Sequence, residues 1–428
     1  MTDTLPTPAV DSVGVVIVGA GQAGVMAAEG LRSGGYTAPI TVLGDEPHGP
    51  YHRPPLSKAW LAGEMAEPQL VMRAPEMLAK KGISLRTGAR VVAIERAAGF
   101  VRLSEGEVLP YSGLVLATGA TPRRLSLPGA DAPNVHVLRS RDDAAAIAAG
   151  MADCAARNAP VLVIGGGFIG LEVAATARKK GLAVTVLEAA PRLMGRALAP
   201  ILSDWYAALH RDHGVQVVLD AHIAAIHTDA TGQAVAVVMA DGTRWPCGLV
   251  LVGVGVAAND ALAVAAGLAC DRGVIVDDCG RTSDPRIVAA GDCTARRLAD
   301  GSLVRLESVN NASEQGRSAA AAVLGQSRPF ASTPWVWSDQ YDRKLQIAGL
   351  SAGLSSGSDA WAVRGDMAGA AFSVYHFRAG RLIAVDSVNA ARDHLLARKL
   401  LDAGVSPTPA QVDDGAFDLA SLLLKPAG

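Results

Sequence analysis

Twice along this chain a short apolar run passes directly into a glycine-rich turn and then into an alanine-rich helical stretch. The first runs from Val13 to Val18 into Gly19-Ala20-Gly21-Gln22-Ala23-Gly24, the second from Val161 to Ile164 into Gly165-Gly166-Gly167-Phe168-Ile169-Gly170. In G-x-G-x-x-G the first glycine makes a tight turn, the second admits a pyrophosphate and the third lets helix and strand pack closely. The helix N-terminus then faces the negative charge. One match is weak evidence, because glycine-rich turns are common. Here both matches follow a strand signal, open a helix and lead to a second apolar run, Ile40–Leu43 or Ala183–Leu187. Each of those runs ends near an acidic residue: Asp45 and Glu188 stand 21 and 18 positions beyond the third glycine. That is close to the roughly 20 expected for a ribose ligand.

The two fingerprints lie 146 residues apart, enough for each to open its own βαβ domain. A further run closes each unit, Leu114–Leu116 with Ala117-Thr118-Gly119 behind it, and Leu249–Val252 leading to Gly255. Continuous apolar runs of this length suit parallel strands covered on both faces. The expected fold is α/β, with two Rossmann-like dinucleotide-binding domains and a C-terminal α+β domain. Residues 1–118 and 249–328 would form the first nucleotide domain and 119–248 the inserted second. Residues 329–428 carry short alternating stretches such as Phe372–Phe377, which read as strands of a separate domain.

Composition excludes several classes. Half of the 428 residues are hydrophobic, so a sizeable core is available. The 39 basic and 41 acidic residues give a net charge of -2, which argues against a global nucleic-acid footprint. The start, Met1-Thr2-Asp3-Thr4-Leu5, lacks the basic region of a signal peptide, and no charge-free stretch is long enough to span a bilayer. A cytoplasmic protein is expected. The five cysteines, Cys154, Cys247, Cys270, Cys279 and Cys293, include no close pair and read as buried filler.

Glu188 bears on the choice of nucleotide. A carboxylate accepts hydrogen bonds from a ribose 2′-hydroxyl and repels a 2′-phosphate, which favours NADH over NADPH. Arg192 and Arg196 follow it and could hold pyrophosphate or ribose; for Arg196 a solvated loop position is an equal reading.

Four blocks carry a wider likeness: Arg53-Pro54-Pro55-Leu56-Ser57-Lys58, Gly165 to Glu172, Ala290-Gly291-Asp292-Cys293, and Pro334-Trp335-Val336-Trp337-Ser338-Asp339-Gln340-Tyr341. With these the chain resembles the FAD- and NADH-dependent ferredoxin reductases of bacterial oxygenase systems, within the glutathione reductase-like class. The resemblance covers Val15 to about Val388. It implies FAD at the first fingerprint and NADH at the second. For FAD it points to Gly19, Gly21, Ala23, Gly24, Asp45, Arg53, Lys58, Val91, Ala117, Thr118, Gly119, Arg139, Asp292 and Val309. For NADH it points to Gly165, Gly167, Phe168, Ile169, Gly170, Glu172, Glu188, Arg192 and Gly255. Asp292 would bind the flavin side chain, although a helix cap is the alternative reading. A helix opening at Glu307 to Asn311, with Asn311 and Glu314 spaced as a capping box, would aim at the flavin ring.

Lys58 and Glu172 are the catalytic candidates, and only the resemblance marks them. It implies a pair beside the flavin N5, Lys58 tuning the flavin and Glu172 orienting it and the nicotinamide. On residue chemistry alone Lys58 would read as a surface lysine. Disulfide-reducing relatives need a thiolate at the flavin; here no cysteine precedes Cys154, and Ser57 stands near the place of the single cysteine in peroxide- and CoA-disulfide-reducing relatives. Electrons must then leave FAD directly, and the family points to a 2Fe–2S ferredoxin. Ferredoxins are usually acidic, so basic residues should meet them. Arg317 and Trp337 match family positions, with Arg73 and Arg343 as further candidates. Of Trp335 and Trp337, one is expected in the core and one exposed.

Two other readings share the scaffold: a redox-responsive binding protein like apoptosis-inducing factor, and a reductase of rubredoxin or another acceptor. No metal site is expected. His210 and His213 lack completing ligands and read as a helix surface.

Overall fold

The computed structural model describes residues 13–298, 300–330, 332–351, 359–369 and 371–424. The chain divides into two compact units, one of residues through 52, 67–121 and 257–331, the other of 53–66, 122–256 and 332 onward.

In the first unit five parallel strands lie in the order Ile287–Ala289, Gly113–Leu116, Val15–Val18, Ile40–Leu43, Ile83–Arg86. The central strand Val15–Val18 is buried at every position, as its unbroken apolar run requires. The helix Gln22–Ser33 follows it and buries Val25, Ala27, Ala28 and Leu31 in a core shared with Ala319 and Ala320 of the helix Val309–Val323. A three-stranded antiparallel sheet, Val91–Glu95, Phe100–Leu103 and Val108–Pro110, completes the side that holds Val91.

The second unit repeats the plan. Its parallel strands run Val215–Val218, Val184–Leu187, Val161–Ile164, Leu249–Val252, Val135–His136. The helix Phe168–Lys179 follows the central strand. The same unit contains a five-stranded antiparallel sheet in the order Trp335–Gln340, Arg343–Gly349, Arg381–Val388, Ala371–Arg378, Ala360–Asp366, with the helix Ala391–Asp402 over Tyr375, Phe377 and Val385.

The expected boundaries need correction at two points. Leu249–Val252 pairs in register with Val161–Ile164. It therefore flanks the central strand of the second sheet, as Gly113–Leu116 flanks that of the first, and the chain re-enters the first unit only at Ala257. Residues 53–66 group with the second unit although they fall inside the first in sequence. The C-terminal segment forms the expected α+β arrangement with a core of its own, and within the second unit Trp205 meets Phe372 edge-on at 5.3 Å.

Candidate functional site

Each fingerprint is built as a cradle. Gly19 has φ +116° and Gly165 φ +107°, a backbone region that side chains rarely adopt. A Cβ on Gly24 or Gly170 would collide with the carbonyl oxygen of Gly19 or Gly165, so the helix sits directly on the turn. At the middle glycine the opposite holds. Nothing lies within 4 Å of a Cβ built on Gly21, and only the Gly253 carbonyl oxygen, at 4.0 Å, approaches one built on Gly167. Gly21 and Gly167 are also the helix N-caps, and no side chain caps either helix. First-turn N–H groups beside open space are what a pyrophosphate would bind. The residues present therefore fit two dinucleotides. Ile169, 40 % exposed, lies on the first turn beside Gly167.

Glu188 follows the strand Val184–Leu187 and is fixed by backbone. Its Oε2 accepts from the Gly166 N–H at 2.5 Å and its Oε1 from the Ala190 N–H at 2.8 Å. The carboxylate is thus pinned at the rim of the second cradle. Arg192 does not serve that rim: its guanidinium donates to the carbonyl oxygens of Leu198 and of Gly195, the latter at 2.7 Å, and so holds the loop together. Arg196 is the residue beside the cradle's far wall. A Cβ on Gly255 would stand 2.9 Å from its guanidinium.

In the first unit Asp45 is exposed after the strand Ile40–Leu43, and Ala23, Val91 and Ala117 are buried. Asn259, which sequence reasoning missed, clasps the turn at Thr118 and Gly119. Its Nδ2 donates to the Thr118 carbonyl at 2.9 Å, and its carbonyl accepts from Thr118 Oγ1 at 2.6 Å. Gln315 was missed as well. Its Oε1 accepts from the Gly291 N–H at 2.7 Å and from Thr294 Oγ1 at 3.0 Å, which ties the Asp292 turn to the helix Val309–Val323. That helix is capped by Ser308, whose Oγ accepts from the Asn311 N–H at 3.1 Å. The Asn311/Glu314 box is therefore corrected by three residues: Asn311 occupies N3, and Glu314 bridges Arg317 and Arg328. The only sequence signal for the cap was the serine itself.

Within the second unit Arg53 donates to the Arg139 carbonyl at 2.8 Å. There too Lys58 and Glu172 meet, Nζ to Oε2 at 2.7 Å, and Glu172 is 4 % exposed. Ser57 Oγ donates to Oε2 at 2.5 Å and Ser338 Oγ to Oε1 at 2.7 Å. Glu172 is a carboxylate withdrawn from water with three donors around it. Burying a charge costs several kcal/mol unless it is paired and hydrogen-bonded, and here both conditions are met.

The cysteines are free. Four are buried; Cys270, outside any regular strand, is only partly buried, which corrects the expectation of full burial, and it packs against the apolar core of the first unit. Burial raises the thiols of Cys154 and Cys293 and pushes Cys247 up to about 12. No cluster of His, Cys, Asp or Glu able to hold a metal occurs among the described residues. His210 is not on a helix surface but fully buried, against Gln340.

Of the partner candidates, Arg73 and Lys81 share the carboxylate of Glu29, and Arg317 and Arg328 share that of Glu314, each cluster keeping a net positive charge in the first unit. In the second unit Arg343 pairs with Asp342 and is neutralised. Trp335 and Trp337 are both half-buried with ring centroids 5.4 Å apart, because residues two apart on a strand share a face. The expected split between core and surface is corrected accordingly.

The chain matches the family model "Pyridine nucleotide-disulphide oxidoreductase" over residues 13–316 and "Reductase C-terminal" over 335–423. It is 45 % identical over 406 residues to rhodocoxin reductase of Rhodococcus erythropolis, covering 95 % of this chain and 93 % of that one. It is 40 % identical over 415 residues to putidaredoxin reductase of Pseudomonas putida, covering 96 % of each. Its fold is similar to that of the reductase in the covalent putidaredoxin reductase–putidaredoxin complex, with a TM-score of 0.91 at 39 % identity over 96 % of this chain and 98 % of that one. Among the described residues no helix is long and apolar enough to cross a membrane.

Proposed function

The chain belongs to the ferredoxin reductases of oxygenase systems, flavoproteins that use FAD and NAD(P)H, and from that premise we propose that it takes hydride from NADH and serves an acidic 2Fe–2S ferredoxin in the cytoplasm. When bound, FAD supplies the conversion from a two-electron hydride donor to a one-electron acceptor.

The observation that carries the choice of NADH is Glu188. With both oxygens held by backbone N–H groups, the carboxylate has no freedom to swing away from a 2′-phosphate. Charge repulsion then works against NADPH, whereas a 2′-hydroxyl can donate to it. Arg196, rather than Arg192, is the cation available to the bound nucleotide. Gly21 and Gly167 admit the pyrophosphates. Asp45 receives the FAD ribose, and Asn259 and Gln315 hold the turns that carry Thr118 and Asp292.

Lys58 and Glu172 set the electrostatics beside the flavin: Lys58 brings a positive charge, and Glu172 fixes its position through the 2.7 Å ion pair. Ser57 supports the same reading, since a hydroxyl, unlike a thiolate, cannot relay electrons, and here it donates to Glu172. The basic clusters around Glu29 and Glu314 favour an acidic partner. Unpaired cysteines are compatible with a reducing compartment.

The test is an anaerobic stopped-flow experiment. The FAD-bound protein is reduced with one equivalent of NADH and mixed with oxidised 2Fe–2S ferredoxin. Flavin reoxidation with matching iron–sulfur bleaching is expected. A reduced flavin that persists against a panel of ferredoxins would overturn the partner assignment, and equal reduction by NADPH would overturn the cofactor assignment.

A further inference from the structure

Four side chains behind the Lys58–Glu172 pair form a line of hydrogen bonds that ends on Glu172. Ser338 Oγ is 2.7 Å from Glu172 Oε1, and Gln340 Nε2 is 3.1 Å from Ser338 Oγ. His210 Nε2 is 2.8 Å from Gln340 Oε1, and Tyr341 Oη is 3.1 Å from His210 Nδ1. At the outer end His213 stacks on Tyr341 with ring centroids 3.7 Å apart.

The chemistry of each group settles the direction of the line. An ionised glutamate only accepts, so the Ser338 hydroxyl donates to it. Having spent its proton, Ser338 must accept from the next group, the Gln340 amide nitrogen. The Gln340 oxygen then requires a donor, which is Nε2–H of His210. A neutral imidazole protonated on Nε2 accepts at Nδ1, and the Tyr341 hydroxyl fills that place. Burial pushes His210 down to about 4, so the ring stays neutral as this order demands. Ser338, Gln340 and His210 are fully buried, and water cannot substitute for any of them.

We propose that Ser338, Gln340, His210 and Tyr341 are positioning residues for Glu172, a one-directional chain of donors that holds its carboxylate in a single orientation toward Lys58. The chain joins three elements far apart in sequence, the helices Phe168–Lys179 and Pro200–Asp212 and the strand Trp335–Gln340. Hydrogen bonds to a charge are roughly twice as strong as neutral ones, and a buried line of them polarises toward that charge. This inference rests on the reading that Glu172 acts beside the flavin.

Two measurements test it. The first uses uniformly 15N-labelled, FAD-bound protein and the ring nitrogens of His210, assigned by their loss in His210→Asn. A neutral ring protonated on Nε2 is expected at pH 7; protonation on Nδ1, or a cationic ring, would reverse the line and overturn the proposal. The second compares NADH-driven flavin reduction in Ser338→Ala, Ser338→Thr and Glu172→Gln. Ser338→Ala should be slower by about tenfold; Ser338→Thr, which keeps the hydroxyl, should recover most of the rate, and Glu172→Gln should be at least as slow as Ser338→Ala. A parental rate in Ser338→Ala beside a slow Glu172→Gln would remove the positioning role alone. A parental rate in Glu172→Gln would remove the role of Glu172, and the positioning role with it.

Discussion

Gly167 and Gly170 share one turn, yet one added methyl should act in opposite ways at the two positions. Gly167 has φ −83° and ψ 178°, extended backbone that alanine adopts freely. The nearest atom to its Cβ would be 4.0 Å away. Alanine is the poorer N-cap by about 0.5 kcal/mol or somewhat more, and a stiffer unfolded chain returns about 0.4–1 kcal/mol. Stability should therefore barely change. The methyl nevertheless occupies the space through which the middle glycine admits a pyrophosphate. At Gly170 the Cβ would collide with the Gly165 carbonyl oxygen and stand 3.1 Å from Val163 Cγ1. Neither neighbour is the loose end of a long side chain, so the helix Phe168–Lys179 must lift from the sheet, at about 1–3 kcal/mol or more. The assay pairs thermal unfolding of the FAD-bound variants with anaerobic flavin reduction by NADH. Gly167→Ala should keep its flavin and a Tm within about 2 °C of the parent, while its reduction rate at sub-saturating NADH falls tenfold or more, about 1.4 kcal/mol of lost binding. Gly170→Ala should lose roughly 5 °C or more. Parental NADH reduction in Gly167→Ala, or an equal loss of Tm in both variants, would refute the cradle argument.

Replacing Glu188 by Gln should narrow the ratio of kcat/KM for NADH over NADPH by about tenfold, because the repulsion of a 2′-phosphate disappears; steady-state rates with both nucleotides check this. Arg317→Glu should weaken ferredoxin turnover and its salt dependence while leaving NADH-driven flavin reduction unchanged, since it reverses the charge of the cluster shared with Arg328. Acid should destabilise the fold through its buried histidines. His210 and His394 are both lowered to about 4 by burial, against 6.5 ordinarily, so the unfolded chain binds more protons between those values. Their contribution is complete above about pH 6.5 and is lost as the pH falls toward 4, by roughly 3 kcal/mol for His210. Urea midpoints between pH 4.5 and 7 should show His210→Asn losing about half of that slope.

Much of the site was legible because it is local. A strand, a glycine turn and a helix lie within a dozen residues, so both cradles, and the candidate acidic residue of each, could be read from spacing. The lack of a cysteine before Cys154 likewise argues against thiol relay chemistry. The tertiary structure decided what depends on partners distant in sequence. Leu249–Val252 could have closed either sheet by its apolar run, and only its pairing with Val161–Ile164 assigned it to the second. Arg192 and Arg196 look alike in sequence; packing spends the first on the Gly195 and Leu198 carbonyls and brings the second to Gly255. His210 and His213 are three apart on one chain segment, but His210 is buried because Gln340 and Tyr341 close over it. A buried polar group must find a partner, and the sequence states that requirement without naming the partner. The fold supplies it, and for Glu172 it supplies Lys58, Ser57 and Ser338 together.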